Sequence, residues 1–207
     1  LSCGYASYVF AMYNTTVANA NFIIQTQTIF LAIFGYFFLK EKISKLTLAS
    51  IILAFSGIIL MLGNSLSFGQ MSGNLAAFIM PIAFATLILI VRKFPDTDMV
   101  PMQFIAGVGA ILIGYFFSNK IQISYHDIFL GFIAGTFQVG LGFLFITIGA
   151  RKTTSALVGI IMLTEAVLGP LWAWLYVNEN PPLVVLAGGL IVIFAVLIQF
   201  FNLKQEN

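Results

Sequence analysis

The 207-residue chain is 60% hydrophobic and 8% charged, with a formal net charge of +2 and a mean hydropathy of +1.05. Soluble domains carry about 25% charged residues, so this composition excludes an ordinary globular protein and leaves an integral membrane protein. With one histidine, His126, one cysteine, Cys3, and no Walker-type glycine loop, the sequence offers no metal-ligand cluster, no intrachain disulfide, no thiol site and no ATP cradle.

A helix needs about 20 apolar residues to cross about 30 Å of hydrocarbon. Runs of this kind, ended by charges or by Gly, Asn and Pro clusters, fall at residues 1–13, 16–39, 46–63, 75–91, 99–117, 128–150, 153–177 and 183–203. None shows the alternation of barrel strands, so the expected fold is an all-α polytopic bundle of about eight spans. Lys40, Lys42, Lys45, Arg92, Lys93, Arg151, Lys152 and Lys204 fall on one side of such a bundle and Lys120 on the other. Positive charge stays in the cytoplasm. The C-terminus is therefore expected inside, in the inner or plasma membrane of a cell, with links 63–74 and 178–182 outside.

The first run is too short to span, begins without methionine and follows no basic n-region, so the protein is expected to start upstream of Leu1. Its Tyr5, Tyr8 and Tyr13 read as packing residues, with a pathway role for Tyr8 as the second reading. In 16–39, Asn21, Gln25 and Thr28 recur at i, i+4 and i+7 and share one helix face, with Gln27 on another. Such a face avoids lipid: it lines a wet cavity or bonds neighbouring helices. Glu41, in the turn leaving this helix, is expected to bond backbone N–H groups where the next helix starts. Gly57 in the third run allows close helix contact, and Gln138 in the sixth carries the same two readings as Asn21 and Gln25.

The seventh run, "TTSALVGIIMLTEAVLGPLWAWLYV", holds one ionisable group, Glu165, near its middle. A charged carboxylate at a bilayer centre costs at least about 2.5 to 3.5 kcal/mol on insertion scales and faces a bundle interior or a wet cavity. Glu165 is thus a bond to a neighbouring helix, the polar anchor of a substrate, or a proton-coupling group. Pro170 is expected to bend the helix one turn later, and Trp172, Trp174 and Tyr176 to settle at headgroup level. Gly188 and Gly189 open the last run to close contact.

Sliding the chain by 138 residues lays "TTVANANFIIQTQTIFLAIFGYFFLKEKI" over "TTSALVGIIMLTEAVLGPLWAWLYVNENP", so that Thr15/Thr153, Thr16/Thr154, Ala18/Ala156, Ile23/Ile161, Thr26/Thr164 and Glu41/Glu179 coincide and Gln27 meets Glu165. The copies start five spans apart, and an odd separation inverts a repeat in the membrane. Inverted repeats are an architecture of secondary transporters, with substrate handled near the midplane.

These pieces, with "FFLKEKIS…LASIILAFSGIILML" in the first half and "GARKTTSALVGIIMLTEAVLGPLWAWLYVNENP…LAGGLIVIFAVLI" in the second, resemble the EamA-type permeases of the drug/metabolite transporter superfamily. The resemblance implies ten helices in two inverted halves, of which residues 1–63 would supply helices three to five and 75–203 helices six to ten. Thr28 and Ala166 stand where the family often has proline, and Lys40 and Asn178 where glycine is usual before Glu41 and Glu179.

By resemblance, the protein is a transporter of a small metabolite, most often an amino-acid-like exporter. Other substrate classes, such as nucleotide sugars or the uptake of vitamins and nucleosides, form the alternative. The expected pathway residues are Glu165, Asn21, Gln25, Thr28, Gln138 and Tyr8. The expected partners are a small-molecule substrate, the lipid bilayer and, through Glu165, protons; no nucleic acid and no cofactor is expected, and a homodimer is left open. The acids outside the spans are too scattered for a carboxylate pair, which makes an enzyme a poor second class. A purely structural subunit would not place a carboxylate at position 165.

Overall fold

A computed structural model of the chain describes residues 1–62, 71–117, 124–177 and 182–206. Its helices are α1 (Ser2–Asn14), α2 (Val17–Gln25), α3 (Gln27–Leu39), α4 (Lys45–Leu62), α5 (Met71–Ala77), α6 (Ile79–Lys93), α7 (Val100–Phe117), α8 (Tyr125–Ile133), α9 (Gly142–Ala150), α10 (Ser155–Met162), α11 (Thr164–Val177) and α12 (Leu183–Glu206). A π-helical segment, Ala134–Leu141, joins α8 to α9. There is no strand among the described residues, so the all-α expectation holds. Lys120, Asn178 and Glu179 and the side chains of Trp172 and Tyr176 lie outside what the structure describes.

All eight apolar runs are helical. Asn19–Leu39, Met71–Lys93, Tyr125–Ala150 and Leu183–Phe201 are long and apolar enough to cross a membrane, and Lys45–Met61, Pro101–Phe117 and Ser155–Leu168 are shorter apolar helices. Local chemistry explains where several begin. Thr16 caps α2 by accepting the Asn19 N–H at 3.1 Å. Ser124 and Asp127 form a reciprocal capping box on α8.

Lipid gives helices no hydrophobic reason to associate, so close packing and polar bonds hold the bundle. The most extensive pair is α4 with α12. A Cβ on Gly57 would lie 2.7 Å from the Gly188 carbonyl oxygen, and one on Gly188 would lie 2.5 Å from that of Gly57, so the two backbones touch as the glycines suggest. Ala54, Ile58, Met61, Val192 and Ala195 pack along this seam, and Gln199 donates to Thr47 at 3.1 Å near its end. A second cluster joins Leu31 of α3, Phe84, Leu87, Ile88 and Val91 of α6, and Val158 of α10. Ser2 and Tyr5 tie α1 to α7 through Ala106 O at 2.9 Å and Gln103 Oε1 at 3.4 Å. Large apolar side chains such as Phe104, Phe116 and Leu183 are exposed, which is costly in water and free in hydrocarbon.

Candidate functional site

The runs 16–39 and 153–177 are each split into two helices, at Thr26 and at Leu163, and a threonine back-bond accompanies each split. At the end of α2 the Thr26 hydroxyl donates back to Ile23 O at 2.5 Å; at the end of α10 the Thr164 hydroxyl donates back to Ile161 O at 2.7 Å. Back-bonding of this kind competes with the helix ladder and bends it. Thr26 and Leu163 keep right-handed backbone angles, φ −62° ψ −12° and φ −63° ψ −16°, so each run restarts within one residue. The breaks therefore need no proline at 28 or 166. α11 continues through Pro170 as one helix, so the interruption precedes Glu165 instead of following it.

Next to these breaks α3 and α10 cross in backbone contact. A Cβ on Gly159 would sit 2.8 Å from Thr28 Cα, and the Thr28 hydroxyl donates to Gly159 O at 3.0 Å. From the crossing towards Lys40, the pair stays shut around Ala32, Ala156 and Ile160, which pack with Ile51. That end is closed by charge. Lys40 adopts the left-handed region, φ 56°, and the Glu41 N–H turns back to Gly35 O at 3.0 Å. Glu41 then accepts the Ser155 N–H at 2.9 Å and the Ser155 hydroxyl at 3.2 Å, and pairs with Arg92 at 2.5 Å. Glu41 does cap a helix, but the helix is α10, 114 residues away, and not α4, which follows it.

On the other side of the crossing α2 and α11 have different main neighbours, although Phe22 of α2 packs on the same cluster as Ala166 and Val167 of α11. α2 is anchored beside α1 and α5 through Asn19, Thr15 and Asn74 at 2.6 to 3.1 Å, whereas α11 leans on α12, with Val167 against Gly189. The face of α10 and α11 carrying Ile161, Glu165 and Leu168 is left exposed. Glu165 lies in the first turn of α11, at the positive end of a helix dipole that favours a carboxylate. Glu165 itself is exposed on this face.

The six expected pathway residues divide. Tyr8 of α1, half-buried, stands near enough to Glu165 to feel its charge. Asn21 on α2 and Gln138 on the π-helical segment are exposed, and π segments recur at functional sites. Gln25 and Thr28 are buried, and Thr28 is committed to the α3–α10 crossing. Gln27, the position 138 residues before Glu165, is also buried, and its Nε2, like the Oε1 of Gln25, has no hydrogen-bond partner among the described residues. The face drawn through Asn21, Gln25 and Thr28 assumed an unbroken helix, and the bend at Thr26 divides it. A separate, almost wholly apolar groove of about 570 Å³ lies between α1, α5 and α7, lined by Tyr5, Phe10, Tyr13, Ala76 and Phe117. It contains none of the six.

The sequence matches the EamA-like transporter family over residues 1–63 and 67–201. It is 22% identical over 205 residues to an uncharacterized transporter of Methanothermobacter thermautotrophicus, covering 92% of this chain and 59% of that relative. The chain thus spans somewhat more than half the length of that protein. A solved crystal structure superposes with a TM-score of 0.81 over 96% of this chain and 71% of its own at 17% identity, a likeness of fold.

Proposed function

The chain belongs to the EamA-like transporter family, and from that premise we propose that it forms the larger part of a multi-pass permease moving a small metabolite by alternating access. The observation that carries this reading is the asymmetry about the crossing. α3 and α10 are in backbone contact and joined at Glu41, while Glu165 on α11 is exposed. A pathway open on one side only is what one state of such a cycle requires, and a carboxylate within a span marks such pathways. The basic residues gather at the closed end, so the positive-inside rule makes this state outward-open with the C-terminus cytoplasmic.

An inverted repeat between residues 1–63 and 75–203 is supported by the matching back-bonds of Thr26 and Thr164 beside the two helix breaks. It is supported again on the α4–α12 seam. The Thr47–Gln199 bond becomes Val185–Met61 when each residue is replaced by its counterpart 138 positions away, and those two share a cluster. The substrate class we infer is amino-acid-like, with Glu165 receiving its ammonium group beside Tyr8, or taking up a proton when the substrate leaves.

Untargeted metabolite profiling of cells that express the full-length gene, against cells that lack it, tests the reading. One class of amine-bearing metabolites should accumulate outside the expressing cells. Indistinguishable profiles, inside and out, would remove the transport assignment; enrichment of a nucleotide sugar or nucleoside would keep the transport and replace the substrate.

A further inference from the structure

Resting on that transport reading, we propose that Glu41, Arg92 and Ser155 form a latch that holds the α3–α10 side of the pathway shut, and that it must open once in each cycle. The argument begins at Gly35. An added Cβ there would lie 2.5 Å from Glu41 Oε2 and 2.9 Å from Ser155 Cβ, so the carboxylate occupies the room that a side chain at 35 would take. Lys40, in the left-handed region, reverses the chain and lays Glu41 back along α3. One carboxylate then does three things: it takes the backbone N–H of Ser155, takes the Ser155 hydroxyl and pairs with Arg92. Arg92 in turn donates to Ala150 O at 3.3 Å. The end of α3, the end of α6, the end of α9 and the start of α10 thus meet on two side chains that are 13% and 16% exposed.

Nothing comparable spans α2 and α11 among the described residues. At the far end, Thr15 and Asn19 bond to each other and to Asn74, joining the end of α1 to α2 and α5. A structural tie would serve as well between any two fixed helices. This one joins the two arms that alternating access must separate, and it uses polar bonds, which water can replace when the arms part.

The test uses a thiol reporter in the purified full-length protein, with Cys3 replaced by Ser and a single cysteine at Ala156, buried beside Ser155. Three unrelated perturbations, Glu41→Gln, Arg92→Met and Gly35→Ala, should each raise its rate of maleimide labelling about fivefold or more, the scale of about 1 kcal/mol. The double variant Glu41→Gln with Arg92→Met leaves no charge unpaired, and should rise no further than either single change. Labelling needs no substrate, so this result stands or falls separately from the metabolite assay. Rates within about twofold of the parent in all variants would overturn the latch. A parallel rise at a second reporter, Ala54 in the α4–α12 seam, would overturn it too, since the three residues would then be holding the fold and not the gate.

Discussion

The two arms of the crossed pair are built from similar sequence and end in opposite conditions. α3 and α10 meet at Thr28 and Gly159, keep small residues between them and finish on a partly buried ion pair. α2 and α11 adjoin matching threonine back-bonds, yet they have different main neighbours, and Asn21, Ile161, Glu165 and Leu168 are exposed. The difference lies less in apolar content than in what each arm can bond to. A glycine backbone and a carboxylate cap close one, while the other exposes Asn21 and Glu165.

The sharpest way to break the comparison is chemical. Glu165→Gln keeps shape and hydrogen-bonding capacity, so folding and membrane insertion should be unchanged, while flux in proteoliposomes should fall about 100-fold or lose its dependence on pH. Normal flux at every pH would return Glu165 to a structural role. Accessibility sharpens the same contrast. Single cysteines at Ile161 and Leu168 should react with an impermeant reagent from outside intact cells and be protected by substrate, and one at Ala32 should not react. The reverse pattern would invert the assignment of sides.

A smaller effect concerns the crossing. Gly159→Val drives a branched side chain into Thr28 and should cost about 1 to 3 kcal/mol in a thermal melt. Gly149→Val, where an added Cβ meets nothing within 4 Å, should be silent. Smallest of all, Lys40→Gly relieves a left-handed lysine at the helix end and should stabilise by about 1 kcal/mol or less, without altering the sides.

Much of this was legible in the residues. The apolar runs and their charged borders predict helices at the observed places, and the 138-residue offset pairs Thr26 with Thr164 before either is known to bend a helix. The bends themselves were hidden, because a threonine bonding to the carbonyl three residues back has no signature beyond its hydroxyl. Their consequence was hidden with them: periodicity carried through residue 26 joins Asn21 to Thr28, whereas the bend leaves one exposed and the other in the crossing. The partner of Glu41 was beyond reach for another reason. Its hydrogen bonds go to a helix start 114 residues on, and local spacing contains no such information. One trace was present, a lysine where a glycine is usual, which marks a left-handed turn that swings the next side chain backwards.

The seam between α4 and α12 has an evolutionary corollary. Gly57 and Gly188 each stand where the other's carbonyl excludes a methyl group, so neither position can drift first and wait for the other to compensate. Phe116 and Leu190, exposed on outward faces, can exchange among apolar residues almost freely. In a library of all single substitutions, positions 57 and 188 should therefore appear as two narrow intolerant points in helices that otherwise accept change, and neighbouring lineages should reach new sequences around that pair, not through it.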